Sequence, residues 1–293
     1  MKPNRIDFHD QISRNKFKSF FLMIIIFIVF ILFGYVIAKS LGEGYFFIIM
    51  IFSIIFSVSY VLINFYKSDK IAIASVGAKK AYRDDYKQYY DAVEGLTLAS
   101  GMPMPKLYIM HSQQINAFAS GRDPHHAVVC VTDGTLEKLD KTELEGVLAH
   151  ELGHIASYDI RYMTLVAVMV GMIAIVSQIF LRSLWFRGGE NSKDKGIFIL
   201  IGIIMAILAP IVVFIVQMSI SRKREFAADA SAVKFTRYPE GLIRALKKIQ
   251  QDKTSPKKQV SKAVAPLFFA NPLKGLGSTH PPLEKRIQVL ERM

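Results

Sequence analysis

Four long apolar segments without a charged side chain constrain the fold of this 293-residue chain most strongly. None of them contains Asp, Glu, Lys, Arg or His. At about 1.5 Å of rise per helical residue, each can cross about 30 Å of hydrocarbon, and helices inside soluble proteins rarely run that long without a charge. The sequence therefore predicts four transmembrane helices, at about residues 20–38, 45–65, 162–181 and 197–218.

Lysine and arginine residues near the ends of these segments predict the orientation of the chain. Five precede the first segment, only Lys39 lies in the turn after it, and five follow the second segment. We therefore expect the N-terminus, the residues between the second and third segments and the C-terminus on the cytoplasmic side of the cell (inner) membrane. The loop between the third and fourth segments carries four basic residues and fits this orientation less well. The long basic N-terminus and the second segment directly after the first favour an uncleaved anchor over a cleaved signal peptide.

The net charge of +13 does not require a nucleic acid partner, because much of the basic charge flanks apolar segments, where it meets anionic lipid headgroups. No GxxxxGK[ST] pattern is present, so no nucleotide is expected. Cys130 is the only cysteine, which excludes a thiolate-rich structural metal site. The lipid bilayer is therefore an expected partner, and the sequence predicts no oligomeric state.

Residues 150–154 read His-Glu-Leu-Gly-His, the HExxH pattern. On a helix, His150 and His154 project from one face about 6 Å apart along the axis, so both imidazoles can reach one zinc ion. Glu151 then lies beside the metal, where it can take a proton from water. A pattern of only five residues can also occur by chance, and the alternative is then a surface helix whose two histidines bind no metal.

Several features around this pattern favour a helix. Thr142 and Glu145 have the spacing of a capping box, and apolar residues recur after them at helical intervals. Gly153 is unfavourable inside a helix, so we expect another backbone to approach closely there.

A catalytic zinc site needs a third protein ligand, and the best candidate is Glu225. Glu225 and Asp229 are four residues apart and face the same way on a helix. One carboxylate can bind zinc, and the other can accept the free ring N–H of a ligand histidine. A solvated helical pair is the alternative for these two residues taken alone.

The order of motifs along the chain resembles a known family. HELGH at 150–154, EFAAD at 225–229 and STHPP at 278–282, with Arg286 and Ile287 beyond, resemble the HtpX family of membrane zinc metalloproteases. That family is similar in turn to the CAAX prenyl endopeptidases. The resemblance covers nearly the whole chain, and it implies quality control of misfolded or damaged membrane proteins.

The resemblance implies specific roles for residues of the three motifs. One zinc ion per chain is bound by His150, His154 and Glu225, with Glu151 as general base and Asp229 beside the ligands.

Two further features match the family less directly. His280 resembles a residue that stabilises the oxyanion of the tetrahedral intermediate, and the alternative is a loop histidine before a Pro-Pro turn. Arg286 either helps His280 or forms a salt bridge, and Asp159 either orients a ligand or caps a helix end.

Residues 116–121 resemble the family's edge strand, whose backbone pairs with the substrate, although core packing of Phe118 is the alternative. The expected substrate-binding residues are Asn116, Ala117, Phe118 and Ala119.

These patterns predict a mainly α membrane protein with four transmembrane helices and a zincin-like α+β catalytic domain with a small β-sheet. A helix is expected at 84–100, short strands at 106–110, 115–120 and 127–132, and a Pro/Gly-rich loop at 266–282. The second hairpin splits the catalytic domain and either spans the bilayer or packs partly against that domain. The expected parts are a basic N-terminus and hairpin at 1–66, catalytic halves at 67–161 and 219–293, and the second hairpin at 162–218.

The predicted function is that of an integral-membrane zinc endopeptidase acting on membrane-protein or unfolded polypeptide substrates. A prenyl-peptide endopeptidase of the CAAX type is the alternative among enzymes, although four spans favour the HtpX type. A non-enzymatic membrane scaffold or transporter is the alternative of another class. It is disfavoured because transport pathways usually need ionisable groups within the membrane, and the four segments have none.

Overall fold

The computed structural model describes residues 8–41, 43–167, 222–252, 254, 267–270 and 281–293. Within these ranges the chain is mostly helical and contains a four-stranded sheet, so the expected mainly α architecture with a small β-sheet is confirmed. Two helices in this part are long and apolar enough to cross a membrane. Nearly all of the second predicted hairpin, and His280, lie outside the described residues. The four spans and the split catalytic domain therefore stay predictions.

The first two helices form the N-terminal hairpin. Helix α1 (Phe8–Leu41) and helix α2 (Phe46–Tyr66) are joined by a short 3₁₀ turn and pack against each other. The bounds of α2 agree with the predicted segment 45–65. Helix α1 begins well before the predicted segment 20–38, because residues 8–19 contain no Gly or Pro that would interrupt a helix there. Many apolar side chains of α2 are exposed, as expected for a surface that contacts lipid, including Phe47 at 78% and Phe52 at 68%.

The four-stranded sheet packs against helices of the catalytic part. Helix α3 (Ser68–Val76) and helix α4 (Lys87–Ser100) flank its first, two-residue strand. The strand order is β1-β2-β4-β3, in which β2 and β4 are parallel and the outer pairs antiparallel, so β3 is an edge strand. Two expected strands have the predicted bounds, and the third begins two residues later than predicted. The strands are β1 (Lys79–Lys80), β2 (Lys106–Met110), β3 (Ala117–Gly121) and β4 (Ala127–Thr132).

One helix lies at the centre of the catalytic part. Helix α6 (Lys141–Ala156) contacts α4, β3 and two helices that follow residue 221, so residues on both sides of 168–221 share one core. Its apolar side chains Leu144, Leu148 and Leu152 are at most 1% exposed. The remaining helices are α5 (Asp133–Lys138), α6 (Lys141–Ala156), α7 (residues 159–167), α8 (Arg222–Thr236), α9 (Pro239–Gln251) and α10 (Leu283–Leu290).

Helix α6 begins with a capping box two residues before the predicted one. The Asp140 side chain accepts a hydrogen bond from the Glu143 N–H at 2.9 Å, and the Glu143 carboxylate accepts one from the Asp140 N–H at 2.8 Å. The prediction of Thr142 and Glu145 was therefore wrong. A carboxylate at the N-cap also interacts favourably with the positive end of the helix dipole, and the Thr142 hydroxyl donates to Asp140 instead.

Two glycines of α6 allow its neighbours to approach closely. A Cβ atom on Gly153 would lie 3.0 Å from Ser231 Cβ and 3.2 Å from the Ala228 oxygen on α8, so the expected close approach of another backbone is confirmed. A Cβ atom on Gly146 would lie 2.6 Å from the Leu242 nitrogen on α9. Both contacts fix the distance between α6 and the helices beside it.

We expect Gly146→Ala to lower the free energy of unfolding by about 1–3 kcal/mol, because the added methyl group forces the backbones of α6 and α9 apart. Gly95→Ala is the matched control in α4, since its added Cβ would meet nothing within 4 Å. Gly95→Ala should raise the free energy of unfolding by about 0.5–1 kcal/mol, because alanine favours a helix more than glycine does. Denaturant unfolding of the purified proteins measures both changes, and an equal response of the two variants would contradict the close contact.

Candidate active site

Helices α6 and α8 bring three possible metal-ligand atoms together. His150 Nε2 lies 3.1 Å from His154 Nε2 and 3.8 Å from Glu225 Oε2. His154 Nε2 lies 3.6 Å from Glu225 Oε1. Ligand atoms around tetrahedral zinc are about 3.3 Å apart, given zinc–ligand bonds of about 2.0–2.1 Å. The spacing of these three donors therefore fits one zinc ion.

The hydrogen bonds of the two histidines test whether the site fits a metal. His150 Nδ1 donates to Asp229 Oδ1 at 2.9 Å, and His154 Nδ1 donates to Asp159 Oδ2 at 3.2 Å. With the proton on each Nδ1, both Nε2 atoms carry lone pairs that face each other at 3.1 Å. Such an arrangement is repulsive unless a metal ion or a proton lies between them. The residues therefore fit a metal ion, and Asp159 orients a ring where the sequence left its role open.

The charges around the histidines also favour a cation. Four carboxylates are buried there, and two buried guanidinium groups face them. These residues are Glu151, Asp159, Glu225 and Asp229 on the acidic side and Arg224 and Arg286 on the basic side. Buried charges are stable only when they are paired or bind a metal, so the carboxylates favour a cation, either a metal ion or a proton on His154. Burial lowers the pKa of His154, but the hydrogen bond to Asp159 and the charge of Glu225 outweigh burial and raise it to about 9.

Glu151 lies in the same cleft with only 2% of its surface exposed. Burial raises the pKa of Glu151 to about 7, and the Glu225 charge adds to this effect while His154 and the Ala119 N–H oppose it. A carboxyl group that titrates near neutral pH can both accept and deliver a proton. This arrangement is suited to general acid–base chemistry.

Arg286 holds the carboxylate that orients His150. Its Nε donates to Asp229 Oδ2 at 2.9 Å and its Nη2 donates to Asp229 Oδ1 at 2.6 Å. Burial disfavours the charge on Asp229, but the Arg286 guanidinium and His150 outweigh this and lower the pKa of the carboxyl. Arg286 thus forms the salt bridge that was one of its two expected roles.

A phenyl ring that the sequence analysis did not single out packs on this network. Phe269 lies edge-on to the His150 ring, with ring centroids 4.8 Å apart. The guanidinium carbon of Arg286 lies 4.7 Å from the Phe269 centroid. Nothing in the local sequence connects Phe269 to a histidine so far away along the chain.

The outer edge of β3 is paired with residues 267–270, here called the self-strand. Phe268 forms an antiparallel bridge with Phe118, and the two rings are 5.0 Å apart. The Phe269 N–H donates to the Ala117 oxygen at 2.7 Å. The expected substrate edge is therefore covered by the chain itself, and the interpretation of residues 267–270 as part of a loop was incomplete.

The Asn116 side chain anchors the self-strand. Its Nδ2 donates to the Ala270 oxygen at 2.8 Å, and its Oδ1 accepts from the Ala270 N–H at 3.0 Å. Further along β3, Ala119 faces the Glu151 carboxyl through its backbone N–H. The structure thus brings the β3 edge beside the HExxH helix, with the self-strand lining the cleft between them.

Two other described histidines lie away from this cleft. His111 Nδ1 contacts Asp133 at 3.0 Å, and His126 Nδ1 contacts Asp123 at 2.8 Å, both at exposed positions. Both imidazoles therefore lie at the surface, apart from the candidate ligands.

Comparisons with known proteins agree with this geometry. The family model described as "Peptidase family M48" matches residues 84–293. A protein named "Protease HtpX homolog" from Dictyoglomus thermophilum is 41% identical over 297 residues, covering 100% of this chain and 96% of the relative. Proteins of the same name from Caldanaerobacter subterraneus and Tropheryma whipplei are 45% and 37% identical, covering 83% and 96% of this chain and 84% and 97% of their own lengths.

Among solved structures, the crystal structure of S. mikatae Ste24p gives a TM-score of 0.49 at 19% identity. The match covers 95% of this chain and 66% of that chain. This likeness is too distant to assign a shared fold.

We expect Asp229→Asn to weaken zinc binding by about 10–100-fold. The amide has one acceptor oxygen in place of two, so it cannot accept hydrogen bonds from Arg286 on both atoms and still fix the His150 ring. Competition with a chelator measures the zinc dissociation constant. Asp133→Asn is the matched control, since it also removes a carboxylate from a histidine but at the exposed His111. Equal zinc affinity of Asp229→Asn and the wild type would contradict the orienting role.

Proposed function

We propose, from the premise that this chain belongs to peptidase family M48 and is a membrane metalloendopeptidase of the HtpX type, that it cleaves unfolded or membrane-protein polypeptides with one zinc ion. The proposed ligands are His150, His154 and Glu225. The observation that carries this proposal is the convergence of their donor atoms, with both Nδ1 atoms fixed by buried carboxylates. That donor set, two imidazoles and one carboxylate, is typical of catalytic zinc.

Zinc bound there supplies a Lewis acid for the scissile carbonyl and lowers the pKa of water. Glu151 is the proposed general base, which accepts the proton of the attacking water and later delivers it to the leaving amine. The raised pKa of Glu151 supports both steps, since the same carboxyl must hold the proton in between. His280 is proposed to stabilise the oxyanion, a role that rests on its place in the STHPP motif.

We propose that the substrate adds to the outer edge of β3 as an extended strand, in place of the self-strand. On this edge the Ala117 oxygen accepts from Phe269 of the self-strand, and Ala119 lines the cleft within reach of Glu151. Strand addition uses the main chain, so it selects extended segments rather than a particular sequence. Unfolded or damaged chains expose such segments, which supports a role in the quality control of membrane proteins.

The proposed site lies close to the membrane surface. Only residues 157–158 separate α6 from α7, and α7 continues into the third predicted span. The proposed topology has four spans, with both termini and the catalytic domain in the cytoplasm. Cytoplasmic loops and exposed ends of membrane proteins would then reach the cleft first. Membership of a peptidase family contradicts the non-enzymatic scaffold or transporter alternative.

We expect Glu151→Gln to lower cleavage of an unfolded test protein by about 10²–10⁴-fold, because an amide cannot accept the proton of water. Zinc content should equal that of the wild type, since Glu151 is not a proposed ligand. The control is Glu145→Gln, a carboxylate of the same helix outside the cleft lining.

Undiminished cleavage by Glu151→Gln would refute its role as general base. Cleavage of a lipidated peptide but not of the unfolded protein would instead favour the CAAX-type endopeptidase.

We expect Phe268→Ala to lower the KM for an extended peptide by about two- to ten-fold with little change in kcat, because an aromatic pair contributes about 0.5–1.5 kcal/mol to the self-strand. Steady-state kinetics measures both constants. Phe235→Ala is the control, since it removes a partly buried ring at the end of α8. An unchanged or raised KM would show that the substrate does not compete with the self-strand.

A further inference from the structure

The first membrane helix reaches the proposed metal site through one buried side chain. Asn15 of α1 is 3% exposed, and its Nδ2 donates to Asp159 Oδ1 at 2.6 Å and to the Ser157 oxygen at 2.9 Å. Asp159 Oδ2 accepts from His154 Nδ1 at 3.2 Å. Two hydrogen bonds therefore connect α1 with the ring of a proposed zinc ligand.

Asn15 also contacts a turn that is conformationally costly. Tyr158, between Ser157 and Asp159, has a φ of +60°, which is unfavourable for a residue other than glycine. The Lys16 ammonium of α1 lies 4.4 Å from the centroid of the Tyr158 ring. The Ser157 hydroxyl donates to Asp159 Oδ2 at 3.0 Å within the turn. Helix α1 thus contacts all three residues of this turn.

Asp159 needs a neutral donor on its outer side. The carboxylate is 1% exposed, and the nearby Arg224 Nε is 3.8 Å from Oδ1, beyond a good hydrogen bond. A buried carboxylate oxygen without a donor is destabilised and rotates toward any donor it can find. The Asn15 amide supplies this hydrogen bond without adding a charge that would compete with His154 for the carboxylate.

We propose that Asn15 is a positioning residue of the metal site, which fixes Asp159 so that His154 Nε2 points at the zinc ion. This inference rests on the proposed zinc ligands. It makes α1 a component of the metal site in addition to a membrane anchor. Positioning groups of this kind change metal affinity by about 10–100-fold, although they never touch the metal.

The test compares zinc binding by full-length Asn15→Leu, Asn15→Ser and the wild type in the same detergent. Leucine has nearly the size of asparagine but no donor, and serine keeps polarity but cannot reach both acceptors. We expect the zinc dissociation constant of both variants, measured by chelator competition, to rise about ten-fold or more. We also expect the visible absorption spectrum of the cobalt-substituted protein to change, because the geometry at His154 changes.

Ser19→Ala is the matched control. Ser19 lies one turn further along α1, is fully buried, and its hydroxyl donates only to the Asn15 oxygen among the bonds described for it. Its zinc dissociation constant and cobalt spectrum should match those of the wild type. Wild-type values in a folded Asn15→Ser protein would overturn the positioning role and leave the zinc site intact. A wild type that binds no zinc would overturn the proposed site itself.

Discussion

Two buried carboxylates, Asp159 and Asp229, orient the two histidines, and the surrounding structure depends on the hydrogen bonds that hold these carboxylates in place. Each carboxylate needs donors, and they come from distant parts of the chain. Arg286 of α10 supplies two for Asp229, and Asn15 of α1 supplies one for Asp159. Helices near both ends of the chain therefore meet at α6, and Gly153 allows α8 to bring Glu225 close enough to complete the set.

Features with a local cause could be predicted from the sequence. The strands at 106–110 and 127–132 and helix α2 followed from short-range patterns, and the HExxH spacing placed two imidazoles on one face. The partners of these residues could not be predicted, because Asn15 and Asp159 are 144 residues apart and Asn116 and Ala270 are 154 apart. The predicted capping box was wrong for a different reason. Asp140 with Glu143 and Thr142 with Glu145 have the same spacing, so both pairs fitted the start of α6.

The self-strand addresses a general problem of edge strands. An open edge presents unpaired N–H and C=O groups, which bind any extended chain and promote aggregation. Residues 267–270 pair with the first part of β3 through the bond from the Phe269 N–H to the Ala117 oxygen, and burial of Phe268 against Phe118 adds apolar contact. If a substrate adds to this edge as proposed, it must displace the self-strand, so a chain that offers a long extended stretch would bind better than a folded one.

The same reasoning applies to the membrane helix. A zinc ligand held only by its own helix would keep its geometry wherever α1 lay. His154 instead depends on Asp159, Asp159 sits beside a left-handed Tyr158, and α1 contacts both residues. Loss of α1 packing would therefore relax the turn and release the carboxylate before the core of α6 is disturbed. If Asn15 positions Asp159 as proposed, the metal site would be complete only in a chain whose N-terminal hairpin is assembled, and hydrolysis would then depend on the packing of α1.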